Sequence, residues 1–466
     1  MSAPASLLRA ADAPATRQDV SRLFARAAFG ATAADLDRWA GQPYEAAVDH
    51  LLNVPALDSR APAPDDAERL VLENDVVEDL AGLYNGVRHA GQWWVERMRT
   101  TQYPLEERMV LFWHDHFATA YLDPYPDVRL LVLQNQTMRR HALGNFQSMV
   151  ADMTVDPAML YWLNGNENAV GKPNENFARE LFELFTLGVV PQRYTEQDIR
   201  EAARALTGWA AEGATKRVTF NANRHDTGTK TVLGTTFGNL GNQEYLKVID
   251  IALAQDVAPK FLAYKLVLNF GYFPATGDTF QDPDPLIDKV AATLRGSNWN
   301  VKDAMRTLLL SEEFRAADPA KQLVRQPIDI VASACKAIGV SARSANVSTL
   351  LERMGQLPFD PPNVGGWPVQ KEWLSPVTTL ARYDWGVTAF NLTTLPTGIL
   401  GSGVGAQLPP SNDLDAWARQ FGLAGLSANT RAVIRDYVAA KAGAPENEKR
   451  AGVLILLVSS PDWMVI

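Results

Sequence analysis

The sequence predicts a mainly α-helical protein: a large, irregular multi-helix body with one small β-hairpin insertion near 216–235. Three observations predict it. Apolar residues recur at helical spacing through most of the chain. Those runs are bounded by capping Thr, Asp and Asn residues and by closing glycines. Strand composition is confined to Lys216-Arg217-Val218-Thr219-Phe220 and Lys230-Thr231-Val232-Leu233. With 466 residues and 47% hydrophobic residues, the chain can bury a large core without covalent staples. Cys335 is the only cysteine, which excludes an intrachain disulfide and a Cys-based zinc site. It shares an apolar helix face with Ile328, Val331 and Ile338 and reads as a buried small hydrophobe.

In chain order, residues 1–16 are Ala/Pro-rich and read as a loose segment. Thr16 and Asp19 then make a capping pair for a helix through Ala28. Short helices follow near 33–40 and 43–53, and the proline-rich stretch 54–66 reads as a linker. From 66 to 120 the pattern is helical with breaks near Gly91 and Pro104. The last of these helices carries Trp113-His114-Asp115-His116-Phe117. His116 shares a face with Leu105, Met109, Phe112 and Trp113, so it is expected buried. Asp115 and Arg108 point the other way, and His114 lies between. Two histidines at i and i+2 diverge on a helix, so the pair is a weak signal for one shared metal. Both are carried as candidates, His116 as a catalytic base and His114 as a substrate contact.

Helices are predicted near 127–142, 145–153 and 157–163. The polar loop 164–172 then leads into a helix from Asn174, a good N-cap, to Leu187, with Gly188 closing it. On a wheel, Glu180 falls between Leu184 and Leu187, inside the apolar arc. A carboxylate there must be paired, hydrogen-bonded or protonated, which makes Glu180 a candidate catalytic acid or base. The competing reading is a buried Glu–Arg pair joining two helices. Asn174, Asn176 and Arg179 stand at the mouth of this helix, where free N–H groups can receive an anion.

Thr195 and Asp198 open a second amphipathic helix, Ile199 to Trp209, as an antiparallel neighbour. Its Arg204 or Arg200 is placed to reach Glu183 or Glu180. The two strand-like stretches are expected to form the hairpin, with His225, Asp226 and Lys230 between or beside them. An imidazole, a carboxylate and an ammonium group in one loop can stage proton transfer or hold an anion, although Asp and Gly are also ordinary turn residues. From 243 onward the pattern is again helical. Leu357 to Pro368 interrupts it as a stiff Pro/aromatic loop whose Trp367 could wall a cleft. Residues 396–411 are Gly/Pro-rich and read as mobile. No helical repeat of fixed period, phosphate-binding Gly loop, His-Glu-x-x-His or Gly-x-Ser-x-Gly element is present.

Several blocks together carry a resemblance. These are Pro104-Leu105-x-Glu107-Arg108-Met109 running into Phe112-Trp113-His114-Asp115-His116-Phe117, then Asn174 to Leu181 followed by Thr186-Leu187-Gly188. The others are Glu201 to Trp209, His225-Asp226-x-Gly228-x-Lys230, and Pro361-Pro362-Asn363-Val364-x-Gly366-Trp367-Pro368. In this order they resemble the uncharacterised bacterial domain-of-unknown-function family 1800, from about residue 18 to beyond 390. The resemblance implies a largely helical fold and supplies no activity. It also implies a separately encoded, exported partner of a sulfatase-like superfamily. On this basis residues 17–395 are expected to form one family-wide domain, with 396–466 packed on it as C-terminal helices.

Net charge is −9, with no long basic run, which argues against a nucleic-acid binder or a polybasic membrane-surface protein. No segment approaches a membrane span. The N-terminus lacks a basic region followed by an apolar run, so the sequence alone indicates a cytoplasmic protein. The family's export habit leaves open a lost signal or export with a partner.

Two functions fit. In the first, His116, Glu180, His225 and Asp226 converge as acid/base groups, while Arg179, Arg204 and Lys230 hold the anionic part of a phosphorylated, sulfated or carboxylated substrate, a glycan among them. A variant uses a divalent metal on N/O ligands. In the second, the same blocks fix helix packing, and the chain is a non-catalytic binding or assembly protein.

Overall fold

Thr16, Thr32 and Thr195 each accept from the N–H of the Asp three residues on, and each Asp side chain bonds back to the Thr N–H. These boxes satisfy donors that a helix start leaves open, and they fix where three helices begin. The computed structural model describes residues 13–57, 80–121, 128–190, 193–212, 217–273, 280, 282–316, 322–342, 347–390 and 408–466. The sequence readings for 1–12, 58–66 and 396–407 lie outside the described residues.

The helices that position the sites are these. Arg17–Ala27 (α1), Ala33–Trp39 (α2) and Tyr44–Leu52 (α3) form the N-terminal group. Leu80–Thr100 (α4), Pro104–His116 (α5), Val128–His141 (α6), Phe146–Thr154 (α7) and Pro157–Trp162 (α8) follow. Then come Asn176–Glu180 (α9), Glu196–Ala205 (α10), Glu244–Leu253 (α11) and Val257–Leu266 (α12). Pro285–Gly296 (α13), Val301–Leu309 (α14), Glu312–Arg315 (α15), Pro327–Ile338 (α16) and Val347–Arg353 (α17) lead to the C-terminal group. That group is Pro376–Phe390 (α18), Leu414–Gln420 (α19), Ala428–Ala440 (α20), Glu446–Val458 (α21) and Pro461–Met464 (α22).

Helix α5 is the centre. It packs against α1, α3, α4 and α6, and every residue from Leu105 to His114 is buried. That includes Glu106, Glu107 and Arg108. Charges at such depth need partners. Glu107 has them: Arg139 at 2.6 and 2.8 Å, Arg97 at 2.6 Å and the Trp94 indole at 3.0 Å. Despite its burial, the arginines hold its carboxyl down at about 2. Arg108 pairs with buried Asp329 on α16.

Two helices finish in wider, π-helical turns. Leu181–Thr186 continues α9, with the Leu187 N–H bonded to the Phe182 carbonyl at 2.9 Å. Val267–Gly271 continues α12, with the Tyr272 N–H on the Val267 carbonyl at 2.9 Å. Such turns hold an extra residue and change the phase of whatever follows. That corrects the reading of Glu180. The wheel set it between Leu184 and Leu187 in the apolar arc, but both leucines lie in or beyond the wide turn. Leu184 is only partly buried, and Glu180 is half-buried rather than in the core. Gly188 does close the element, at φ +80, where an added Cβ would stand 2.6 Å from the Phe280 ring.

The β structure also differs from expectation. The two strand stretches do not pair with each other. Trp209–Ala211 (β1) pairs antiparallel with Val218–Phe220 (β2), and Lys230–Val232 (β3) pairs with Thr235–Phe237 (β4). Leu233 and Gly234, at φ +47 and +77, make the tight turn of the second hairpin. Trp209 was read as the end of a helix. Instead α10 stops at Ala205, and Gly208 at φ +97 redirects the chain into β1.

Residues Val20 to Trp463 contribute to one continuous apolar cluster. Near the C-terminal end, Val324 bridges Val465. Leu323 N–H bonds the Ile466 oxygen at 2.7 Å, and Arg325 N–H bonds the Met464 carbonyl at 2.9 Å.

Candidate functional site

The predicted residues fall into three separate places. Among the described residues, no hydrogen bond, ion pair or ring contact joins His116, Glu180 and His225.

The first place is the surface beside α9. Arg179 is bound by Glu196 at 2.7 and 2.8 Å, by Glu175 at 3.3 Å, and lies 3.6 Å from Glu183. Its charge is therefore spent on three carboxylates. Burial and then the Glu183 charge raise the Glu180 pKa, while Arg179 opposes. The Asn174 side chain accepts from the Asn176 N–H at 3.0 Å, and Asn168 accepts from the Asn174 N–H at 2.9 Å. These asparagines hold a turn. Arg204 and Arg200 do not reach Glu180 or Glu183.

The second place is the β3–β4 hairpin against α10. Arg204 grips Asp226 at 2.8 and 3.1 Å and Glu201 at 2.9 and 2.8 Å. Lys230 lies 2.6 Å from Glu244 of α11, both fully buried. His225 Nδ1 is 2.9 Å from the Thr207 carbonyl, and its Nε2 is 3.2 Å from Glu244 Oε1. The structure thus gathers four predicted residues, Arg204, His225, Asp226 and Lys230. Glu244 is the member that sequence reading missed. It sits at the start of an ordinary amphipathic helix, and only its apolar neighbours mark it. Each cation in this group faces a carboxylate, and the network ties hairpin to helix.

The third place lies on the side of α5 to which Arg108 and Asp115 point, away from His116. That side is covered by the loop 357–368 and by the π turn 267–271. Between them is a crevice of about 30 Å³, lined in part by Arg108, Asp115, Asn269, Asp329, Trp367 and Gln370. Asp115 Oδ1 accepts from the Trp367 N–H at 2.7 Å. Gly366 allows this approach: at φ +90, an added Cβ would stand 2.7 Å from the Asp115 main-chain oxygen. Burial pushes the Asp115 carboxyl up to about 6, against the pull of the Trp367 N–H and the Lys265 charge. Asp115 was missed because it shares a side with charged Arg108, away from the apolar face that carries His116. The available signal was its position between two histidines.

The histidines themselves are core groups. His114 Nε2 accepts from the Phe359 N–H at 3.1 Å, which puts its proton on Nδ1. Its ring lies 5.3 Å from Trp94 and 5.3 Å from Trp367, and burial lowers its pKa to about 3. His116 Nε2 is 3.1 Å from the Phe185 carbonyl in the first π turn, among Phe112, Phe117 and Phe146. Burial, helped by the Lys265 charge, holds it well below the usual value. The two imidazoles diverge, as their spacing requires. No group of three or more His, Cys, Asp or Glu side chains among the described residues is arranged to hold a metal ion. No described helix is long and apolar enough to cross a membrane.

Comparison with known proteins finds no match among proteins of curated function and none among solved structures. A family model, described as protein of unknown function (DUF1800), matches residues 22–465, and the chain belongs to that family.

Proposed function

We propose that the chain is a hydrolase or group-transfer enzyme whose acid/base group is Asp115. One observation carries this reading: a carboxyl poised at about 6 opens into a crevice, held by a main-chain N–H on one oxygen. A general base works best when its pKa lies near the working pH. Asp115 would take a proton from an attacking water or hydroxyl and return it to the leaving group. Trp367, whose N–H holds the carboxyl, lines the same crevice and orients it. The π turn at Leu268 and Asn269 lines the same crevice, a common companion of functional sites. Arg179 and Lys230, first chosen to hold an anionic group, are occupied by carboxylates. Arg108 is likewise occupied, by Asp329, which leaves Lys265, whose charge acts on Asp115, for that role. The crevice admits little more than a water, so the substrate would lie across its mouth.

The test is a turnover screen over aryl phosphates, sulfates, esters and glycosides, comparing the native chain with Asp115→Asn. The expected result is turnover that falls as pH drops through about 6 and is lost in the variant. Turnover unchanged in Asp115→Asn would remove Asp115 from the chemistry.

A second reading has its own observation. Val377, Leu380 and Tyr383 stand 75%, 61% and 51% exposed along α18. An apolar stripe of this kind marks a docking face, which favours an assembly protein working with a sulfatase-like partner. Leu380→Glu should then abolish co-purification with that partner and leave the melting temperature unchanged.

A further inference from the structure

A polar hollow lies elsewhere. A cavity of about 580 Å³ opens between α1, the segment 322–325, the loop 423–427 and the residues around α22. That volume falls within the usual range for small-molecule sites. Three arginines line it: Arg22 and Arg26, one turn apart on α1, and Arg325. The only acidic side chain among the lining residues is Asp462, and it already accepts the Ser427 N–H at 2.9 Å. A chain of net charge −9 has thus placed three guanidinium groups round one space.

Arg325 is the decisive group. It is 1% exposed. Its guanidinium stacks on Trp463 at 4.3 Å, and one terminal nitrogen donates to Ser333 Oγ at 3.0 Å. Its Nε is buried without a hydrogen-bond partner, and no carboxylate pairs with it among the described residues. Arg22 donates to the Arg315 carbonyl at 2.5 Å, and Arg26 to the Ile466 oxygen at 2.9 Å. The acceptor of Arg22 is a neutral main-chain carbonyl. Burial, together with a neighbouring arginine, holds Arg26 and Arg325 down to about 9. Like charges one helical turn apart are unfavourable, and a buried guanidinium with an open N–H is costly. An anion in the cavity offsets the crowding of positive charge around it.

We propose that this cavity is a binding site for a small, multiply charged anion, a phosphorylated or polycarboxylate metabolite. Planar guanidinium forks match phosphate and carboxylate oxygens in pairs. The site is distinct from the Asp115 crevice, because the paired segments 323–325 and 464–466 run between them.

Titration calorimetry and thermal shift test it, using sodium pyrophosphate and sodium citrate against sodium chloride of matched ionic strength. The two probes separate the phosphate and carboxylate sources. The native chain should bind at least one of them and melt higher in its presence. Arg325→Met, which keeps the stack on Trp463, should weaken binding at least tenfold. Arg22→Gln, at a partly exposed position that threatens folding less, should weaken it severalfold. Asp115→Asn should bind as the native chain does, so failure here and failure of the proposed chemistry remain distinguishable. A shift reproduced by sodium chloride, or binding indifferent to Arg22→Gln, would overturn the site.

Discussion

Asp115 and its flanking histidines titrate in opposite senses. The Asp115 pKa is raised to about 6 from an ordinary value near 3.8. Between those values the folded chain holds a proton that the unfolded chain has lost, so Asp115 makes stability fall as pH rises through that window. Asp115→Asn keeps an acceptor for the Trp367 N–H and removes the cost. It should stabilise the protein by about 1–2 kcal/mol at pH 8 and hardly at all at pH 4, as denaturant melts at the two pH values would show. His114 behaves the other way. Folded, it stays neutral down to about 3, while the unfolded imidazole takes its proton near 6.5. Its contribution is fully present above pH 6.5 and is lost as pH falls, at about 1.4 kcal/mol per pH unit. His114→Gln should therefore show a shallower loss of stability between pH 6 and 4. A slope equal to the native one would mean the ring is already charged. At this scale the sequence was legible for His116, whose apolar face was plain. It was not legible for Asp115, because a helix wheel shows which residues share a side but not what covers that side.

The elements explain where the rest of the reading failed. Capping residues and prolines located most helix starts, since those signals act within one turn. The π turn at 181–186 has no comparable local signal, and it moved Glu180 out of the position a uniform helix would give it. One strand of each hairpin was visible as composition, but its partner and the pairing were set by Gly208 and Gly234, whose positive φ turns the chain back on itself. The charged blocks in this region proved to be ties between elements. Lys230→Met would leave Glu244 buried without its cation and should cost about 3 kcal/mol, measured by denaturant unfolding. Gly366→Ala demands a side chain at φ +90 against Asp115. It should lower stability by about 2 kcal/mol or more, and it should shift the pH limb of any turnover because it displaces the carboxyl.

At the scale of the molecule, the ends of the described chain are interlocked. Ser21 donates to the Gly422 carbonyl at 2.7 Å, and Arg26 of α1 bonds the Ile466 oxygen. Helix α18 packs on α21, and α19 on α2. With a single apolar cluster running through all of these, scanning calorimetry should show one unfolding transition rather than a separate step for 408–466. Two resolved transitions would divide the chain there. The short pairing of 323–325 with 464–466 then has a structural consequence. It acts as a party wall between two hollows, one acidic and narrow, the other cationic and roomy. Whatever loosens that partition breaches both chambers together, so a lesion in residues 464–466 should damage two rooms at once.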